Sequence, residues 1–124
     1  MAKNTVFIVD DNEAVCESLQ WLLSSIDIPV EIFLSAEEFL NACSMGMWGC
    51  LVLDLYLPRM DGIALLKELR QRKIQLPVII VSGRTEKLSS LYTSYASIVA
   101  AFKKPANPDK LLAAIQQALC SVST

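Results

Sequence analysis

The 124-residue chain contains no histidine. That absence removes zinc–histidine sites, Ser-His and Cys-His nucleophile pairs, and any phosphohistidine formed on the chain itself. Cysteine occurs four times, at Cys16, Cys43, Cys50 and Cys120, always in apolar stretches and never with C-x-x-C spacing. The pattern reads as buried free thiols rather than a disulfide framework or a metal site. No apolar run is long enough to span a bilayer. Met1-Ala-Lys-Asn-Thr5 lacks the apolar segment and small-residue cleavage site of a signal peptide. A cytoplasmic protein without membrane attachment is expected. The net charge of −2 offers no broad basic surface, so direct nucleic-acid binding is not expected either.

What is present is a core. Hydrophobic residues make up 53% and charged residues 19%, and no linker, repeat or low-complexity stretch divides them. One domain is expected over residues 1–124, with its core at about 5–119. Apolar runs alternate with helical patterns throughout. Residues 5–9 read as a strand, and Val15, Leu19, Leu22, Leu23 and Ile26 recur at helical spacing through about residue 26. Residues 30–34 form a second strand. Ser35 and Glu38 then resemble a capping box that opens a short helix to about Cys43.

A third strand spans 50–53, followed by a loop to Gly62 and a helix with Glu68 and Arg72 in favourable i,i+4 order. Val78–Val81 is the fourth strand, stopping at Ser82-Gly83. The segment from Thr85 to Tyr95 is the weakest helix, since Ser and Thr dominate it. Residues 98–102 are the fifth strand. Asn107, Pro108 and Asp109 supply an N-cap, a Pro at N1 and an acid at N2 for the last helix.

Five strand–helix units in alternation imply an α/β fold: one doubly wound, flavodoxin-like (βα)5 parallel sheet, for which the common order is 2-1-3-4-5. That order sets the first and third strands side by side at the topological switch point, where ligands bind beyond the carboxyl ends of the strands. Asp10 and Asp11 follow the first strand and Asp54 follows the third. Ser82 ends the fourth, and Lys103-Lys104 follow the fifth. Taken singly, each is ordinary: an N-cap, a loop acid, a turn serine, a solvated lysine. Together at one sheet edge they form a site. Clustered carboxylates repel unless a cation or protons intervene, and three offer hard oxygen ligands suited to octahedral Mg²⁺.

These residues resemble the receiver domains of two-component response regulators. The resemblance covers residues 5 to 119 and rests on Val9-Asp10-Asp11, Asp54, Leu57-Pro-Arg-Met-Asp-Gly62, Ser82-Gly83 and Lys104-Pro105 in order. Ser35-Ala-Glu-Glu-Phe39 and Leu76-Pro-Val-Ile-Ile80 look most like receivers that precede a helix-turn-helix output domain. The resemblance implies that Asp54 accepts a phosphoryl group from a histidine on a sensor kinase. It implies Mg²⁺ held by Asp11 and Asp54 directly, by Asp10 through water and by the backbone carbonyl of Tyr56. Lys104 would pair with one phosphoryl oxygen and Ser82 would hydrogen-bond another. Of the two lysines the family register selects Lys104, whose bond to Pro105 is often cis; Lys103 is expected to be solvated.

Two departures bear on the output: Ala96-Ser97 stands where receivers usually carry a Gly-Ala turn before the fifth strand, and the switching aromatic is missing. The strand-5 position where receivers carry a switching aromatic is Ala101, and alternation points the neighbouring Phe102 to the opposite face. Either the switch works without an aromatic rotamer or the segment shifts register. Tyr56 and Arg84, two residues beyond Asp54 and Ser82, are bulky and should crowd out attacking water, which predicts slow self-dephosphorylation.

Three functions compete. The first is a phospho-accepting switch, not an enzyme acting on separate substrates, that alters the face formed by the fourth helix, fifth strand and fifth helix. That face would serve an output domain, a partner protein or a homodimer, regulating transcription; Leu91, Tyr92 and Tyr95 are candidates for it or for the core. The second is a phosphorylation-independent interaction module, which Ala101 and the polar fourth helix favour. The third is a Mg²⁺-dependent phosphohydrolase with Asp54 as nucleophile, which lacks a second acid at Leu55-Tyr56.

Overall fold

Alternation along the strands sorts the apolar side chains into two cores, one on each side of a single sheet. The computed structural model describes residues 4–44, 46–84, 86 and 88–122. The elements are β1 (Thr5–Val9), α1 (Glu13–Ser24), β2 (Val30–Phe33), α2 (Ala36–Ala42), β3 (Gly49–Leu53), α3 (Gly62–Gln71), β4 (Val78–Ser82), α4 (Leu88–Ser94), β5 (Ile98–Lys103) and α5 (Pro108–Val122). All strand pairs are parallel and the order is β2-β1-β3-β4-β5, as the doubly wound reading requires.

Phe7, Val9, Leu51, Leu53, Val78 and Ile80 face one way and pack with Phe39, Leu65, Leu69, Leu91 and Tyr95 of α2, α3 and the α4 segment. Val6, Ile8, Cys50, Val52, Ile79 and Val81 face the other and pack with Cys16, Leu19, Leu23, Leu111 and Ile115 of α1 and α5. β1, β3 and β4 are apolar along nearly their whole length because both of their faces are covered.

The caps follow the local chemistry. Ser35 Oγ accepts the Glu38 N–H at 3.1 Å and Asn107 Oδ1 accepts the Lys110 N–H at 3.0 Å. The Glu68–Arg72 pair closes at 2.9 Å. α1 ends at Ser24 rather than near residue 26, because Asp27 takes a left-handed φ of 60° and turns the chain before Pro29. The weak fourth helix begins at Leu88, and its expected start at Thr85 lies outside the described residues. Cys16 and Cys50 are buried as expected and Cys43 is half-buried, but Cys120 is exposed on the outer side of α5.

The register question at the fifth strand has a definite outcome. Val78 pairs with Ile98 and Ile79 with Ala100, so β5 carries one extra residue, Val99, in a bulge. Beyond it Ala101 packs on the α2–α4 side, with Ile98, while Phe102 packs on the α1–α5 side. The shift therefore precedes Ala101 and does not bring an aromatic onto the α4 side.

Candidate functional site

Each candidate residue stands just beyond or at the end of a strand, and the backbone ladder runs on to hold it there. The Asp10 N–H donates to Phe33 O at 3.1 Å and the Asp54 N–H to Val9 O at 3.1 Å. The Lys104 N–H donates to Ser82 O at 2.8 Å. The doubly wound order thus brings together carboxylates 44 residues apart in the chain, from Asp10 to Asp54. Oxygens of Asp10, Asp11 and Asp54 lie within 4.8 Å of one another, with Asp10 and Asp54 buried and Asp11 exposed.

Lys104 closes the cluster. Its Nζ lies 2.8 Å from Asp10 Oδ2 and 3.1 Å from Asp54 Oδ2. The second oxygens are also engaged: Asp10 Oδ1 accepts the Asn12 N–H at 3.0 Å and Asp54 Oδ1 accepts the Tyr56 N–H at 3.1 Å. Burial of the Lys104 ammonium pulls its pKa down, but the hydrogen bonds to Asp10 and Asp54 outweigh this and hold it above the ordinary 10.5. Lys103 is exposed, so the choice between the two lysines falls on Lys104, and the Lys104–Pro105 bond is cis. Ser82 is fully buried, and its Oγ accepts the Arg84 N–H at 3.3 Å.

The donor set suits a hard divalent cation. Three carboxylates facing one ammonium leave unbalanced negative charge, and the oxygens bound to Lys104 already accept a cation at close range. Asp11, on the open side, is positioned to complete such a set.

Several residues escaped the sequence reading. Asn12, not an aspartate, caps α1: its Oδ1 accepts the Val15 N–H at 3.2 Å, which frees both acids for the site. The signal was available, since Asn12 stands three residues before the first apolar helical position. Gly62 begins α3 against the end of β3, where a Cβ would lie 2.6 Å from the Asp54 carbonyl oxygen and 2.8 Å from Leu55 Cα. The preceding Asp61 caps α3 through the Ala64 N–H at 2.9 Å. The sequence sets Tyr56 and Arg84 beside the site as bulky neighbours, but does not announce that the Arg84 guanidinium stacks on the Tyr56 ring, 5.0 Å from its centroid.

Of the three surface candidates, Tyr92 is exposed, whereas Leu91 and Tyr95 belong to the core. Arg70 covers the Tyr95 ring at 4.4 Å and donates to Ser94 O at 3.1 Å. Beside the site, a largely apolar groove of about 770 Å³ runs between α1 and the start of α5. Val15, Leu22, Trp21, Pro105 and Pro108 line it, and it shares Asn12 and Lys104 with the acidic cluster. No helix among the described residues is long and apolar enough to cross a membrane.

Comparison with known proteins points the same way. The family model for the response regulator receiver domain matches residues 6–116. The chain is 37% identical over 116 residues to the response regulator protein TodT of Pseudomonas putida, covering 94% of this chain and 51% of TodT. It is 32% identical over 117 residues to the transcriptional regulatory protein FixJ of Bradyrhizobium diazoefficiens, covering 94% of this chain and 57% of FixJ. The chain thus spans about half the length of the curated relatives it matches. Among solved structures, the response regulator StyR aligns with a TM-score of 0.87 at 34% identity, over 98% of this chain and 62% of that one. The crystal structure of FixJ-N aligns at 0.82 and 34% identity, over 96% of this chain and 95% of that one. A CheY-like receiver domain from Methanospirillum hungatei aligns at 0.86 and 28%, over 98% of both. With this fold, this edge of the sheet and these relatives, the chain belongs to the response regulator receiver domain family.

Proposed function

We propose that Asp54 is the phosphoacceptor of a Mg²⁺-dependent signalling switch. In this reading residues 1–124 form one receiver unit of a cytoplasmic two-component system. The observation that carries the assignment is the Lys104 ammonium bridging Asp10 and Asp54, with Asp11 in the same cluster. Asp54 is held by its backbone and by the Tyr56 N–H, so its carboxylate meets a donor in a fixed orientation.

A carboxylate oxygen of Asp54 attacks phosphorus and forms the O–P bond. The P–N bond to the donor imidazole breaks, and its electron pair stays on that nitrogen, where a proton follows. The donor histidine belongs to a sensor kinase, because this chain has none. The groove bearing Trp21, which is 78% exposed, is continuous with Lys104 and suits a donor protein that must bring its histidine to Asp54.

Asp11 and Asp54 would hold Mg²⁺ directly, Asp10 through water, and Tyr56 through its carbonyl. Mg²⁺ supplies neutralisation of the charge that accumulates between carboxylate and phosphoryl group. Lys104 would exchange an Asp54 contact for a phosphoryl oxygen, and the Ser82 hydroxyl would serve another.

The output would be a changed protein-interaction surface on α4, β5 and α5, acting on an output domain, a partner protein or a second copy of the chain. The names of relatives, response regulators and transcriptional regulatory proteins, support an effect on transcription. A phosphorylation-independent interaction module is the second reading, favoured by Ala101 on the α4 side of β5. A phosphohydrolase ranks last, because Leu55 is buried and Tyr56 offers no carboxylate.

Incubation with acetyl phosphate and Mg²⁺, followed by intact mass measurement, separates these readings. One added phosphoryl group, absent in Asp54→Ala, is the expected result. A folded chain that takes up no phosphoryl group refutes the switch and favours the interaction module, whereas turnover of a separate phosphoester favours the hydrolase.

A further inference from the structure

The stack of Arg84 on Tyr56 is tied to the site at both ends. The Tyr56 N–H donates to Asp54 Oδ1 at 3.1 Å, and the Arg84 N–H donates to Ser82 Oγ at 3.3 Å. Asp54, Tyr56, Arg84 and Ser82 therefore form a chain of contacts, with the guanidinium 5.0 Å from the ring centroid as its outer link, and Lys104 joins its two ends through Ser82 O and Asp54 Oδ2. Both inner links involve atoms that phosphorylation must disturb. A phosphoryl group on Asp54 changes the carboxylate that receives the Tyr56 N–H, and a Ser82 hydroxyl that turns to the phosphoryl group leaves the Arg84 N–H.

We propose that Arg84 exchanges partners on phosphorylation, leaving the Tyr56 ring for a phosphoryl oxygen, and that the released Tyr56 carries the phosphorylation state to the surface. The inference rests on the reading of Asp54 as phosphoacceptor. Two physical points favour it. A guanidinium binds phosphoryl oxygens through charge-assisted, planar hydrogen bonds, which are stronger than its attraction to the face of a solvent-exposed ring. Tyr56 is 37% exposed, so its displacement alters a surface that a partner can contact. The position on β5 that faces the α4 side holds Ala101, a side chain with no rotamer to change, which leaves the loop stack to make the state visible. Arg84 acts here as a positioning residue for Tyr56.

The test uses chain labelled with 3-fluorotyrosine, whose Tyr56 fluorine resonance is assigned by Tyr56→Phe. Spectra are recorded before and after acetyl phosphate and Mg²⁺ treatment, with uptake followed by intact mass on the same samples. The wild-type Tyr56 resonance is expected to move on phosphorylation. In Arg84→Ala it should start near the phosphorylated position and lose more than half of that movement, while Arg84→Lys, which keeps charge without the planar fork, falls between. Phosphoryl uptake with an unmoved Tyr56 resonance, or with equal movement in wild type and Arg84→Ala, overturns the inference and leaves Asp54 as acceptor. Absence of uptake overturns the acceptor reading and this inference with it.

Discussion

Replacing Lys104 by Met tests whether this ammonium is the counter-charge that lets two carboxylates sit buried at the sheet edge. Its Nζ meets Asp10 Oδ2 at 2.8 Å and Asp54 Oδ2 at 3.1 Å, and both aspartates are more than nine-tenths buried. Removing one partner of a fully buried ion pair costs about 3–5 kcal/mol. Here the lysine side chain is 25% exposed, so water can reach the vacated position. A loss of about 2–3 kcal/mol in chelator is the expected size, from the same mechanism reduced by hydration. Urea unfolding followed by circular dichroism would show it as a midpoint lowered by roughly 1–2 M, taking a slope of about 1.5 kcal/mol per M.

Two further measurements isolate the cause. Mg²⁺ should recover more stability in Lys104→Met than in wild type, because the variant's carboxylates no longer have a lysine competing for them. In an Asp54→Asn background the same substitution should cost about half as much, since one of its two charged partners is already gone. Equal midpoints for wild type and Lys104→Met in chelator, or a penalty unchanged by Asp54→Asn, would refute the counter-charge account.

Gly62→Ala should destabilise the chain by about 1–3 kcal/mol, because a methyl group there meets the Asp54 carbonyl oxygen at 2.6 Å; thermal unfolding measures it, and an unchanged midpoint would mean that α3 slides freely. The raised pKa of Lys104 sets a pH window: its contribution is fully present below the unfolded value of about 10.5 and is lost as pH rises through the higher folded value. The stability difference between wild type and Lys104→Met should therefore be flat through neutral pH and shrink only in strong alkali, as pH-dependent urea titrations would show. Alkylation at neutral pH should modify Cys120 first, while Cys16 and Cys50, whose thiols burial pushes up to about 11 and about 12, react only after unfolding. Early labelling of Cys50, read by peptide mass mapping, would contradict that order.

The architecture was legible because periodicity and burial agree along most of the chain. Val6 and Ile8 against Phe7 and Val9 state both faces of β1, and three apolar strands in the centre leave room only for a covered parallel sheet. The acidic site was legible for a related reason: a carboxylate at the end of a buried strand is costly, so its recurrence after two strands points to a shared purpose. What stayed hidden depends on contacts between loops. Asn12 capping α1, Gly62 pressed against Asp54 and Arg84 lying on Tyr56 join residues whose proximity exists only once the sheet has formed. A register shift in the fifth strand was one of two open readings, but its place at Val99 was not legible, because residues 98–102 are apolar throughout and an inserted residue leaves no mark on such a run.

The same geometry bears on how a change at Asp54 can travel. Ser82 and Lys104 end adjacent strands and are linked by the Lys104 N–H to Ser82 O bond, so neither can shift without loading the other. On the lysine side the chain runs into α5, whose Leu111, Ile115, Ala118 and Leu119 are all buried, a long and firmly seated helix. On the serine side it runs through Arg84 towards α4, a seven-residue helix in which Leu91 is the buried anchor among the described residues. Few buried contacts mean a low free energy for local rearrangement. A displacement of the Ser82–Arg84 turn would therefore be absorbed by α4 before it could move α5. Tyr95, pinned between the core and Arg70, limits that movement at the far end. The predicted motion is a hinge of α4 about its Tyr95 end, with exposed Tyr92 and the Tyr56–Arg84 stack on the part of the surface that it rearranges.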